Sequence, residues 1–507
     1  MPRNKPAKPS RIPFILSGAI TALAYPPLNL WFLAWISLLP LIVGTRSLTF
    51  GVAFRRGWWG GLFFNAGLLY WIGLNSGAEG PIALASLLGM LLIFPLYWSL
   101  FAAFWAFLWN RCGDLAALLL PALWVALEVV KNAPEIGFPW LELGLTQIEF
   151  PPAAQLAEIG GIRFVSAWVV GANVAFFLLL YGRRKVFVGL TLMLIAGLVW
   201  GQWRLNHLPE PGVSLKAIIV QGNVDPAAKW MEDPDSSLVL YEKLTTEAVA
   251  REEADLVIWP ETAVPVYLGH QIKYQRRLRA LAESSGAAIL TGAPHYEIRR
   301  NAREGHDRFN SAFFFPKDGT KPSRYDKIRL VPFGERVPFQ KFWPRLGELN
   351  FGQAEFTAGK SYVVFDPGNG VKISAQICFE SVFGQETRRF VLNGARVLCN
   401  LTNDGWYGNS SGPYQHAALV RFKCIETRCP LLRAANTGIS LAADRTGRVI
   451  ESIPYNERGT FAVQVESGGN DLTFYVRHGE LIPWLMSLLA LFGILISACW
   501  GRTGRRL

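Results

Sequence analysis

Residues 375–385 read AQICFESVFGQ, and the fold turns on this stretch. ISAQICF has the apolar character of a buried strand. It runs into charge at Glu380, two residues past Cys378. A cysteine there can be a packing residue, half of a disulfide, a metal ligand or a nucleophile. The compartment and the partners that could meet it decide among these.

Outward from it, apolar runs alternate with helical stretches. LKAIIVQGN (215–223), ADLVIWPE (254–261), AAILTGAP (287–294), FNSAFFFP (309–316), SYVVFDP (361–367), VKISAQICFE (371–380) and ARVLCNLTND (395–404) read as strands. Residues 237–252, 271–285, 384–392 and 415–429 read as helices, and 438–444 with 447–454 as a hairpin around Arg445-Thr446. That order predicts an α/β fold with sheets covered by helices.

The flanking sequence has another composition. Of 507 residues 51% are hydrophobic and 17% charged, with 19 Trp and 33 Phe, a balance ordinary for a membrane protein. A bilayer core needs roughly 20 apolar residues per helix. Eight stretches are candidates: 12–28, 30–45, 57–76, 82–109, 115–131, 163–181, 186–203 and 481–500. The first two share the turn Pro26-Pro27 and suit a tight helical hairpin. No cleavage site followed by soluble sequence makes the first a signal peptide. The expected organisation is a membrane domain over 1–205 with seven transmembrane helices, an α/β domain over 210–475, and an eighth helix with a basic tail over 480–507.

A net charge of +12 invites a nucleic-acid reading, but its placement argues for no nucleic acid. Basic residues cluster before the first span (Arg3, Lys5, Lys8, Arg11), between the second and third (Arg46, Arg55, Arg56), after the fourth (Arg111), between the sixth and seventh (Arg183, Arg184, Lys185) and after the eighth (Arg502, Arg505, Arg506). These are alternate loops. The positive-inside rule then puts both termini in the cytoplasm and residues 204–480 outside. No CxxC pair or Cys/His cluster has zinc spacing, so no metal is expected. An exported domain permits disulfides, and Cys424 with Cys429 is a candidate pair.

Glu261 ends a strand in IWPET, where a turn or capping acid is the ordinary reading. Lys327 lies in RYDKIRLVPFGERVPF, where a solvated lysine is ordinary. Taken with Cys378 they make a working set for acyl transfer. The thiolate is the nucleophile, the carboxylate takes its proton, and the ammonium stabilises thiolate and oxyanion. The six His sit in no recognisable catalytic context.

QGN (221–223), WPET (259–262), YDKIRLVPFGE (325–335), CFES (378–381) and NLTNDGW (400–406) resemble the nitrilase superfamily. The apolar spans, GFPW (137–140), LVPFGERVPF and NDGWYG (403–408) resemble within it the apolipoprotein N-acyltransferase family. The resemblance covers almost the entire chain. It implies an α-β-β-α sandwich and a triad of Glu261 as general base, Lys327 as oxyanion stabiliser and Cys378 as nucleophile. It implies an acyl donor phospholipid, phosphatidylethanolamine, and as acceptor the free α-amino group of a diacylated apolipoprotein. No cofactor is implied, and the expected setting is the bacterial inner membrane with the catalytic domain periplasmic.

The same resemblance gives auxiliary roles to Glu335 and Glu380, with a structural salt bridge as the alternative. Trp230 falls in a substrate-lining loop or is a surface aromatic. Asn310, Trp406 and Tyr407 shape the site, and Trp140 lies near the lipid portal. Phe339, Phe342 and Trp343 belong to a mobile lid or to plain loop packing. Glu128, near the end of the fifth span, is functional, faces water or pairs with Lys131. Phe379 receives no chemical role. The competing functions are a membrane-tethered amide or nitrile hydrolase with the same triad, and a non-catalytic transporter or lipid scaffold.

Overall fold

The computed structural model describes residues 10–133, 135–226, 229, 233–299, 305–340, 342–343, 345–346 and 355–503. The helical region comprises α1 (Ile12–Leu23), α2 (Leu39–Thr45), α3 (Phe50–Leu69), α4 (Gly80–Ile93), α5 (Pro95–Cys112), α6 (Leu120–Lys131), α7 (Pro151–Ala154), α8 (Ala157–Leu180) and α9 (Arg184–Asn206). The eight expected spans are redrawn. Among the described residues, four stretches are long and apolar enough to cross a membrane: Gly80–Lys131, Ala157–Leu180, Arg184–Asn206 and Leu481–Cys499. Residues 12–28 and 30–45 yield only short helices around Pro26-Pro27. Pro95 lacks an N–H to continue the helix before it, so the expected span 82–109 divides into α4 and α5. Helix α3 starts seven residues before expectation, because no proline or cap stops it earlier. Arg55 and Arg56 therefore lie inside a helix, not in a loop.

The α/β region contains β1 (Ser214–Gln221), α10 (Pro234–Val249), β2 (Leu256–Ile258), α11 (Ile272–Ser285), β3 (Ala288–Ile298), β4 (His306–Phe315), β5 (Ser323–Asp326), β6 (Gln376–Ile377), α12 (Gly384–Leu392), β7 (Leu398–Thr402), α13 (Ser411–Thr427), β8 (Leu431–Ala435), β9 (Ser440–Ala443), β10 (Val449–Ile453) and β11 (Gly459–Glu466). Helices α14 (Phe474–His478) and α15 (Leu481–Thr503) follow. Six strands form one sheet in the order β11-β1-β2-β3-β4-β5, and five form a second in the order β10-β9-β8-β7-β6. The central strands β1, β2 and β3 run parallel, as do β6, β7 and β8.

The two sheets bury their facing sides against each other: Leu215, Ile258 and Leu290 from the first, Ile377, Leu401 and Leu432 from the second. The outer face of the first sheet, with Ile218, Val257 and Phe313, is covered by Leu238 and Tyr241 of α10 and Leu278 of α11. The outer face of the second, with Leu398, Leu431 and Leu441, is covered by α13, and that core continues without a break into α5, α6 and α8. Every residue of α13 is buried except the half-buried Tyr414 and Arg421. Specific bonds hold this junction. Arg428 pairs with Glu158 at 2.6 Å, Arg421 with Glu149 at 2.5 Å, and the Ile162 N–H donates to Glu426 at 3.1 Å.

Several strands differ from expectation. SYVVFDP forms no strand; only Phe365 bridges Ile373, its ring stacked on Phe314 at 5.0 Å, and Pro367-Gly368 ends the run. LLRAA (β8) escapes a hydrophobic reading because Arg433 sits in its middle, fully buried. All six cysteines are free, so Cys424 and Cys429 form no disulfide.

Candidate active site

Three strand ends meet at one edge of the sandwich. Glu261 lies three residues beyond β2, Lys327 directly after β5, and Cys378 directly after β6. The first two therefore come from one sheet and the third from the other.

The turn carrying Glu261 presses on β3. A Cβ at Gly292 would lie 2.5 Å from the Thr262 nitrogen and 2.7 Å from the Glu261 Cα, so only glycine permits this approach. Asn310, on β4, aims its amide at two acids. It donates to Glu261 Oε1 at 2.7 Å and to Glu335 Oε1 at 2.9 Å. Glu335 in turn holds the Lys327 ammonium at 2.8 Å and accepts the Val331 N–H at 2.9 Å. The Lys327 N–H donates to the Asn310 carbonyl at 2.9 Å, so backbone and side chain of Lys327 are both fixed from Asn310.

Cys378 is not the last residue of a strand, as its sequence suggests. The strand stops at Ile377, and Cys378 opens a single 3-10 turn, Cys378–Val382, with φ of 49°. A left-handed conformation is costly for a residue with a Cβ. Glu380 holds it: one carboxylate oxygen accepts the Ile377 N–H at 2.8 Å, the other the Tyr325 hydroxyl at 2.7 Å and the Ile328 N–H at 3.3 Å. The Ser381 hydroxyl adds a bond to the Cys378 carbonyl at 2.6 Å. Since Tyr325 and Ile328 flank Lys327, the buried carboxylate ties the cysteine turn to the lysine strand across the two sheets.

The electrostatics give each group a resting state. Burial pushes the Cys378 thiol up to about 12; Glu261 adds to the rise and Lys327 opposes it. Burial also raises Glu261 above the usual carboxylate range against the pull of Lys327. Burial works against the Lys327 ammonium, but Glu335 and Glu261 outweigh it and hold it well above the usual lysine range. The arrangement therefore starts from a neutral thiol, a carboxylate primed to accept its proton, and a fixed positive charge. Glu380, raised by burial to about 7, binds the turn and is hydrogen-bonded to the neighbours of Cys378 and Lys327, not to their side chains.

The helical region supplies one wall. Trp140 is buried, and its ring stacks on Phe379 at 5.7 Å; Phe379 in turn meets Phe383 at 5.0 Å. Trp71 packs edge-on against Tyr407 at 4.7 Å. Glu128 is buried among the helices and accepts from Trp124 at 2.9 Å and Leu143 N–H at 2.8 Å, so it does not face water. Phe342 and Trp343 are exposed, while Phe339 is half-buried. Trp230 lies outside the described residues.

Two features escaped the sequence. Asp404 accepts from His416 Nδ1 at 2.8 Å and from Arg433 at 2.6 Å, a buried set beneath Trp140. Lys229 is buried, its ammonium has no hydrogen-bond partner among the described residues, and burial lowers it to about 7 while Glu261 opposes the shift. Its place directly before Trp230 was the only available signal.

Residues 216–470 match the family model for carbon-nitrogen hydrolases, which defines the class of the α/β domain. Residues 17–175 match the model for the apolipoprotein N-acyltransferase N-terminal domain. The apolipoprotein N-acyltransferase of Geobacter metallireducens is 35% identical, with 93% of this chain and 92% of the relative covered. That of Pseudomonas paraeruginosa is 31% identical over 99% and 98%. A Nesterenkonia AN1 amidase from the nitrilase superfamily shares 18% identity, covering 55% of this chain and all of that one, with a TM-score of 0.40. The chain belongs to the apolipoprotein N-acyltransferase family.

Proposed function

We propose that the protein transfers an acyl chain from a phospholipid to the α-amino group of the N-terminal diacylglyceryl-cysteine of an apolipoprotein, the last step of bacterial lipoprotein maturation. The observation that carries this reading is the convergence of Glu261, Lys327 and Cys378 in a domain whose fourth layer is packed on apolar helices.

In the first half-reaction Glu261 takes the Cys378 proton as sulfur attacks the donor ester carbonyl. The oxyanion forms beside the Lys327 ammonium. The C–O bond then breaks, and the leaving alkoxide takes the proton from Glu261, giving a lysophospholipid and a thioester. In the second half the acceptor amine attacks the thioester carbonyl and Glu261 takes its proton. Collapse breaks the C–S bond, the sulfur regains the proton, and an amide is released. This is ping-pong covalent catalysis. Phosphatidylethanolamine is the donor, and the amine prevails over water because the buried site keeps the thioester dry.

The setting belongs to the same reading: an inner membrane crossed eight times, both termini cytoplasmic and the α/β domain periplasmic, supported by the clustering of basic residues toward alternate ends of the apolar stretches. Purified protein given phosphatidylethanolamine and a diacylated lipopeptide yields triacylated peptide and an acyl mass on Cys378. Free fatty acid with no triacylated peptide would instead mark a hydrolase. A periplasm-active reporter fused near residue 300 is active; activity of a cytoplasm-only reporter there would refute the topology.

A further inference from the structure

A groove of about 1000 Å³ has Ile328, Arg329 and Leu330, which follow Lys327 in the chain, on one wall and Arg308, Thr357 and Lys360 on another. Glu135, from the loop after α6, also lines it, so it lies where the α/β domain meets the helices. Two of its cations are neutralised: Arg336 pairs with Glu135 at 2.5 Å and Arg299 with Asp307 at 2.7 Å. Arg308, Arg329 and Lys360 make no ion pair or side-chain hydrogen bond with any described residue, against a single remaining carboxylate, Glu355.

Arg329 is the distinctive one. It is half-buried, and its guanidinium carbon lies 4.4 Å above the Phe383 ring. Stacking occupies one face and leaves the planar N–H edge unpaired. Burial lowers its pKa, with Glu386 opposing and Arg336 adding to the fall. A desolvated cation without a counterion is costly, and its fork matches the bidentate geometry of a phosphate.

We infer that this groove seats the phosphodiester of the acyl donor, gripped by Arg329 and drawn in by Arg308 and Lys360. The inference rests on the proposed phospholipid donor. Position supports it: Lys327 and Arg329 are two residues apart, at most ~7 Å between Cα atoms, the scale of the glycerol unit between an ester and its phosphate. A lipid ester at Lys327 would leave its phosphate within the reach of the Arg329 side chain. The exposed Phe342 and Trp343 belong to the segment that forms the groove wall, and such aromatics favour the headgroup level of a bilayer. A lipid phosphate is therefore the occupant, not a free anion.

The test compares acyl-enzyme formation, by intact mass in single turnover, from phosphatidylethanolamine and from a diacylglycerol of the same chains, which lacks the phosphate. At subsaturating donor, full-length protein in detergent micelles acylates from the phospholipid at least about tenfold faster. Arg329→Gln brings that ratio toward one by raising the half-saturating donor concentration, and Arg329→Lys keeps part of it. The exposed pair Arg308→Gln/Lys360→Gln, which carries little folding risk, lowers it as well. Inorganic phosphate at the donor's concentration leaves the preference intact. Equal rates from the two lipids, or an Arg329→Gln ratio equal to that of the unaltered protein, overturns the inference. So does loss of preference with inorganic phosphate, which assigns a free anion, or an Arg329→Gln defect that follows acidic residues in the acceptor peptide. Acylation from neither lipid overturns the thioester reading itself, and the subsite with it.

Discussion

Glu261 and Glu335 share one donor: the Asn310 amide reaches both, at 2.7 and 2.9 Å. Two half-buried carboxylates are thereby held at fixed separation with an ammonium against one of them. Asn310→Ala frees both acids, and Glu261 loses its aim at the sulfur. Loss of a charge-assisted bond of this kind lowers the acylation rate about 10–100-fold, read by stopped-flow or quenched acyl-enzyme formation with folding checked by thermal unfolding. Asn310→Asp is worse, because it adds a third acid.

Cys378→Ala abolishes acyl-enzyme formation, and Cys378→Ser nearly does so, because the oxygen is a weaker nucleophile whose proton Glu261 removes less readily. Intact mass after incubation with phospholipid checks both. A Cys378→Ala protein that turns over normally removes the nucleophile assignment.

The pH profile follows from Glu261. Its pKa is raised above the ordinary carboxylate value of 4.5, and it must be ionised to accept the thiol proton. Acylation is therefore lost as pH falls through that raised value, at a pH higher than an unperturbed glutamate would give. With the thiol at about 12, there is no second rise near the ordinary thiol range. Rates of acyl-enzyme formation from pH 4 to 10 test this, and Glu261→Gln removes the acid limb.

Glu380 affects stability in the opposite sense from a salt-bridged acid. Its folded value, about 7, lies above the 4.5 of an unfolded chain. The folded state binds the proton more tightly, so its contribution is present below 4.5 and is lost as pH rises toward 7. Glu380→Gln flattens that dependence in denaturant melts. It also slows acylation, because an amide nitrogen now confronts the Ile328 N–H and the left-handed turn of Cys378 loosens.

The junction ion pair is also testable. Arg428→Ala leaves the buried Glu158 with Arg204 as its remaining partner. Breaking a buried pair costs about 3–5 kcal/mol, seen as a lower unfolding midpoint in detergent.

Local pattern made much of this legible. The helix read at 384–392 occupies Gly384–Leu392, and the first four strands were visible because apolar residues fill each. The acid after ADLVIWP and the lysine in RYDKIRL stood out because charge seldom follows a buried run without cause. What pattern could not carry was geometry set by distant partners. The left-handed turn at Cys378 depends on Tyr325 and Ile328, some fifty residues away in the chain. Asn310 looked like one polar residue in a strand, and His416 like one polar residue in a helix. Arg433 concealed a whole strand. Hydropathy alone does not register Pro95 as a break or Arg55 and Arg56 as interior to α3.

Helix α13 has the second sheet on one side and α8 on the other, with almost no surface left over. Cutting the chain at both borders of the α/β domain would strip that helix of half its neighbours. The excised piece would present a greasy flank to water and be prone to aggregate. The apolar helices are thus a structural subunit of the enzyme, and work on this protein has to begin from intact chain in detergent or lipid.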